Sequence, residues 1–148
     1  MLKLATTILL TGMLLLPGPV ATPKPTVWYV ATTGSDSTGN GSIEDPFHTI
    51  QHAIEAASDS DTVVVMEGWY AGPGNANLNF LGKAITVRSQ NPEDNACLRA
   101  TSIDAERQGV IVRFINDEGP GTVFAGFSLV AGDTSRAVQG IPGFFGLC

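Results

Sequence analysis

The sequence predicts an all-β chain wound into a coil, a solenoid of about three turns, with one short helix closing the first turn. Three observations carry that expectation. Apolar residues come in short runs that alternate or are β-branched, as in Thr62-Val63-Val64-Val65-Met66 and Ala84-Ile85-Thr86-Val87-Arg88-Ser89, and tight turns separate them. The runs recur: Val63 to Ile85 spans 22 residues and Ile85 to Val110 spans 25, a period typical of stacked supersecondary units. After Ala57 no helical pattern separates one run from the next, which excludes ordinary strand–helix–strand units, whose crossovers need a dozen or more residues.

Composition agrees. The 148 residues suit one domain and only 15% of them are charged, against about 25% in a typical soluble protein. Seventeen glycines favour turn-rich β structure. The net charge of −6 offers no basic face to nucleic acid or to an anionic membrane.

In chain order, Lys3 precedes an apolar run from Leu4 to Leu16 that Pro17-Gly18-Pro19 ends. That run is shorter than the roughly 20 residues of a spanning helix, so residues 1–21 read as a secretory signal peptide cleaved after Ala21. The expected location is secreted or cell-surface, with a membrane link only if the segment stays uncleaved. Residues 22–26 contain Pro23 and Pro25 and form an extended linker. The folded domain is residues 27–148, and Val27-Trp28-Tyr29-Val30-Ala31 is its first strand.

Asp45 as N-cap and Pro46 as first helical residue predict a helix running to Ala57, with Phe47, Ile50, Ile54 and Ala57 on one face. Asp59, Ser60 and Asp61 end it, and Val63 to Val65 form a buried strand. Gly68 permits a sharp change of direction that Trp69 and Tyr70 can cover. Gly72-Pro73-Gly74-Asn75 then turns into Leu78-Asn79-Phe80, and Gly82-Lys83 turns into a strand with Ile85 and Val87 on one side. Asn91-Pro92-Glu93-Asp94 is a corner before Ala96-Cys97-Leu98. Val110, Val112 and Phe114 share a face opposite Arg113, and Gly119-Pro120-Gly121 leads into Thr122 to Val130, where Phe127 and Leu129 alternate. In such a coil each turn packs on the turns above and below, so the open first turn needs a cover, which the helix supplies. Cys97 reads as a buried free thiol, with a disulfide to the terminal Cys148 as the alternative.

Tyr29-Val30 with Gly34-Ser35-Asp36, Pro46-Phe47, Thr49-Ile50-Gln51, Ala53-Ile54, Asp61-Thr62-Val63, Gly68 with Tyr70, Gly82-Lys83 with Ile85-Thr86-Val87, and Gly126-Phe127 form a combined pattern. It resembles the N-terminal cap and first coils of secreted right-handed parallel β-helix proteins of the pectin-lyase-like superfamily. The resemblance runs from about Tyr29 to Gly132. Ser60 departs from it where glycine is common, and Trp69 where a small residue is. Family members usually continue through many more coils, whereas this chain runs from Ser135 into an apolar tail ending at Cys148. The expectation is a truncated chain whose last coil is unprotected and invites self-association.

Candidate chemistry is sparse. Asp36, Thr38 and Asn40 alternate like a calcium loop, but its twelfth position is Phe47 instead of Glu, so an EF-hand is excluded; a looser calcium site and a plain turn stand as alternatives. Asp59 and Asp61 pose the same choice between calcium and capping. His48 and His52 are one helical turn apart, yet Gln51 occupies the place of a metalloprotease glutamate, which favours a solvated helix face. Enzymes of the resembled family act on acidic polysaccharides with carboxylate-held calcium and a basic residue, often arginine, or on glycosides with paired carboxylates. Arg88, Arg113 and Asp117 are the catalytic candidates here, but none lies in a family catalytic motif. The expected function is therefore that of a non-catalytic N-terminal part of a secreted β-helix protein, a scaffold or carbohydrate-binding surface. The competing expectation is a polysaccharide lyase or glycoside hydrolase whose catalytic residues lie mostly downstream, with polysaccharide as the partner and calcium as a possible cofactor.

Overall fold

A computed structural model describes residues 26–107, 109–130, 138–140 and 145–146. The expected signal peptide, the linker as far as Pro25 and Cys148 lie outside the described residues, as does most of the tail. The strands are β1 (Val27–Val30), β2 (Thr62–Val65), β3 (Gly68–Ala71), β4 (Leu78–Asn79), β5 (Thr86–Ser89), β6 (Thr101–Asp104), β7 (Val112–Phe114), β8 (Val123–Ala125), β9 (Ser128–Val130), β10 (Val138–Gly140) and β11 (Phe145–Gly146). Two short helices accompany them, α1 (Ile50–Ala56) and α2 (Asn95–Ala100). The protein is thus mostly sheet.

Among the described residues the strands form three sheets, ordered β1-β2-β5-β8-β11, β3-β6-β9 and β10-β7-β4, and every strand pairing there is parallel. From β2 onward the chain visits the first, second and third of these sheets in fixed rotation. Inward residues therefore stack in columns. Val63, Val87 and Phe124 share one register in the first sheet, Tyr70, Ile103 and Leu129 another in the second, and Leu78 and Val112 a third in the third. Leu78, Val87, Ile103 and Val112 are wholly buried and belong to one hydrophobic cluster. Phe80 lies 4.9 Å from Phe114 and 6.4 Å from Phe124 between ring centroids; full burial of such a side chain contributes about 1.5–3 kcal/mol.

The columns revise the expected period. Val63 pairs with Val87, and Val110 does not stack on Ile85, because it leads into β7 in a different sheet. The second passage is lengthened by α2, which precedes β6. Neither carries a strong pattern: Asn95 to Ala100 is too short for helical periodicity to register, and Thr101-Ser102-Ile103-Asp104 owns one large apolar residue. Tertiary packing of Ile103 between Tyr70 and Leu129 makes β6 a strand. The expected corner at Asn91-Pro92-Glu93-Asp94 is present, with Asp94 N donating to Asn91 O, and Ala96-Cys97-Leu98 after it lies in this second helix. The run from Thr122 to Val130 is two strands, broken at Gly126, whose φ of +83° and crowding against Ser89 and Pro92 leave no room for a side chain.

The first helix starts later than Asp45 and Pro46 predict. Phe47 is held extended, its N–H donating to Tyr29 O and its carbonyl accepting from Ala31 N, so pairing with β1 delays the helix. Thr49 is the N-cap, and its hydroxyl accepts from His52 N. The apolar face nonetheless holds, since Phe47, Ile50, Ile54 and Ala57 are all buried. Gly68 does open a change of direction, but Trp69 and Tyr70 diverge: Tyr70 is buried, donating to Met66 O and Val30 O, while Trp69 is 56% exposed. Ser60, at a position where the resembled family favours glycine, has a φ of +73°, which explains that preference.

Helix α1 is latched from the next passage of the chain. Lys83 Nζ donates to the carbonyls of Ile54, Glu55 and Ala57 at 2.8 Å each, satisfying C-terminal acceptors that a helix leaves open. Lys83→Met keeps much of the stem and removes the ammonium. It is expected to lower stability by about 2–3 kcal/mol, the range for loss of hydrogen bonds to a charged group, whose carbonyl acceptors here are part-buried or exposed. Urea unfolding, with hydrogen exchange of the α1 amides, measures both the loss and its location.

Candidate functional site

The outward positions of the third sheet bring together residues far apart in sequence. Asn79 and Arg113 fall in one register across β4 and β7 and face outward, because Leu78 and Val112 beside them point into the core and strand residues alternate faces. Asn79 Oδ1 accepts from Asn116 Nδ2 at 2.6 Å and from Leu81 N at 2.9 Å. Arg113 Nη2 donates to Asn77 Oδ1 at 3.2 Å, while its Nε is buried without a partner. Glu118 accepts from Asn116 N at 3.0 Å and Gly82 N at 3.4 Å, holding the turns beyond β4 and β7 together. Gln51 Oε1 accepts from Asn79 N and Gln51 Nε2 donates to Asn79 O, so α1 supplies an amide where a further strand would stand.

Beside this polar row lie Leu81 and Ile115, 46% and 53% exposed. Asn77, Leu81 and Asp117 all have positive φ, between 55° and 60°. Left-handed backbone is costly for a branched residue such as Leu, and such strain gathers at binding and catalytic sites. The face presents fixed amides, one guanidinium and an apolar ledge. That set suits recognition of a hydroxyl-rich ligand, and its one hydrogen-bonded carboxylate, Glu118, is committed to backbone amides.

Arg88 stands apart, on β5 in the first sheet, and Nη1 donates to Ser89 O and Gln90 O. It lines an open cleft of about 600 Å³ with Gln90, Asn91, Pro92, Glu93 and Asp94. Asp94 Oδ1 there accepts from Ala96 N. Asp117 is an exposed turn residue four positions after Arg113. Arg88 and Arg113 thus stand on different sheets.

The metal candidates serve as structural acceptors. Asp36 accepts from His48 N, Thr49 N and Thr49 Oγ1 at 2.7–3.0 Å, tying the polar loop to the start of α1. Asn40 Oδ1 accepts from Ser42 N, and Asp59 Oδ1 from Ala84 N. Asp61, only 6% exposed, accepts from Thr26 N, Ser58 N and Trp28 Nε1 at 2.7–3.0 Å. Among the described residues no three His, Cys, Asp or Glu side chains gather to hold a metal. His52 packs edge-on against Phe47, with ring centroids 4.6 Å apart.

The fold places this chain among mostly-sheet proteins built from parallel strands, and the outer row on its third sheet is the built feature. No protein-family model matches the chain, and no solved structure matches it. Among curated proteins, YwoF of Bacillus subtilis strain 168, itself uncharacterized, is 33% identical over 86 residues, which cover 57% of this chain. The match covers 18% of YwoF, so the chain spans only a small part of that relative's length. No helix among the described residues is long and apolar enough to cross a membrane.

Burial pushes the Asp36 and Asp61 carboxyls up, but their hydrogen bonds outweigh it and hold both below the ordinary carboxylate range; Lys83 adds to this at Asp61 and His52 at Asp36. A carboxylate depressed on folding stabilises the fold above its unfolded pKa, about 3.9, and that contribution is lost as pH falls through the folded value. Stability is therefore expected to be flat above about pH 5 and to fall below about pH 4. Asp61→Asn should remove part of that acid dependence and cost about 2 kcal/mol at neutral pH, both read from denaturant unfolding at a series of pH values.

Proposed function

We propose that the chain is the N-terminal part of a secreted or cell-surface right-handed parallel β-helix protein of the pectin-lyase-like kind, and that it acts non-catalytically as a carbohydrate-binding scaffold. The rotation of the chain through three parallel sheets supports the winding, and right-handed crossovers are the rule for parallel strands, in about 98% of cases. The observation that carries the binding role is the in-register pair of Asn79 and Arg113 beside Leu81 and Ile115. An amide and a guanidinium about 4.8 Å apart on neighbouring strands match adjacent sugar hydroxyls, and the ledge offers an apolar surface to pyranose faces.

The Arg88 cleft, with Glu93 and Asp94 on its wall, favours a second reading as a polysaccharide lyase or glycoside hydrolase. Both readings meet in one assay. The chain is titrated with pectate and with a neutral glucan, with and without calcium, and products are followed by chain length. The scaffold reading expects binding without cleavage, weakened about tenfold by Arg113→Ala or Asn79→Ala, the effect of roughly 1.4 kcal/mol. Calcium-dependent cleavage abolished by Arg88→Ala would establish the enzyme reading instead.

A further inference from the structure

The leading edges of the three sheets are treated differently. In the first sheet β1 covers β2, and β1 is itself backed by the loop, with Tyr29 N donating to Gly41 O and Phe47 N to Tyr29 O. In the third sheet the Gln51 amide bonds both backbone groups of Asn79. In the second sheet β3 pairs with β6 on one side. Among the described residues its other side takes no backbone strand or mock strand, and the bond from Asn75 Nδ2 to Ala71 O lies at its end. The sequence Gly68-Trp69-Tyr70-Ala71 carries no lysine, proline or other device that blunts an edge.

That edge carries the most exposed large apolar side chain described, Trp69. Carboxylates stand at both ends. Glu67 is exposed immediately before β3. Beyond the far end Glu106 Oε2 comes within 4.0 Å of the space beside Gly72. The four-residue strand separates these acidic ends by roughly 13 Å. With the whole chain at −6, a second copy docking here would bring like charges together, whereas a basic segment would be drawn in.

We propose that the outer edge of β3 docks an extended, positively charged peptide segment, which adds as a strand, sets an apolar side chain against Trp69, and places basic residues near Glu67 and Glu106. Main-chain hydrogen bonds supply the affinity and the flanking charges the selectivity. This surface lies on the second sheet and is independent of the carbohydrate face on the third.

The test uses the full chain against a display library of random heptapeptides. Enriched sequences should alternate apolar residues with Lys or Arg. A synthetic copy of one should quench Trp69 fluorescence and bind about tenfold more weakly when alternate amides are N-methylated. Trp69→Ser and the Glu67→Gln/Glu106→Gln pair should each weaken it without shifting thermal unfolding, since all three side chains are at the surface. Absence of enrichment over the triple variant, acidic consensus peptides, or indifference to N-methylation would overturn the proposal. So would self-association lost in Trp69→Ser, or protection of Trp69 by glycan alone.

Discussion

Every strand in a parallel stack needs a neighbour on each side to satisfy its N–H and C=O groups, and the first strand of a stack has none above it. Residues 26–61 of this protein are organised around that deficit. The loop from Thr32 to Asp45 folds over β1, with Asp36 fastening it to the start of α1, and Asp61 gathers Thr26, Trp28 and Ser58 at the corner where β2 begins. Helix α1 lies over the open end, burying Ile50, Ala53 and Ile54. Gln51 substitutes for a strand along β4, and Lys83 reaches back to close the helix's own carbonyls. The cover and the first passage through the sheets are thus one unit, joined by polar bonds that also bring residues 25–35 positions apart into contact.

Below that cover the interior is built from columns rather than layers. Tyr70, Ile103 and Leu129 rise through the second sheet as Leu78 and Val112 do through the third. Aromatic rings fill the remaining volume, with Phe80 touching Phe114 and Phe124, and Phe124 stacked on Phe127 at 4.6 Å. Outward positions of the same strands form rows by the same register. A polar face such as Asn79 and Arg113 is therefore a by-product of the alternation that buries Leu78 and Val112, and its chemistry is set by the residues chosen for it.

Much of the fold was legible in the sequence because local chemistry agreed with tertiary packing. Ile50 and Ile54 marked the covered helix face, and Ile85 with Val87 marked one side of a strand. Where the two levels diverged, the sequence misled. Asp45-Pro46 is a good helix start, but Phe47 is claimed by β1, so Thr49 takes the cap. Ile103 alone could not announce β6. The candidate site was the least legible, because Asn79 and Arg113 are separated by 34 residues and carry no shared motif. The uneven passages, shorter from Val63 to Val87 than from Val87 to Phe124, hid their alignment. Lys83 was visible only as part of a turn, since its role needs the helix end it reaches.

The measurement that tests the three-sheet winding most directly is the set of long-range nuclear Overhauser contacts between backbone protons. Parallel in-register contacts are expected to link Val63 to Val87 and Val87 to Phe124, Tyr70 to Ile103, and Leu78 to Val112. Contacts placing Ile85 against Val110, or any antiparallel pattern among these strands, would contradict it.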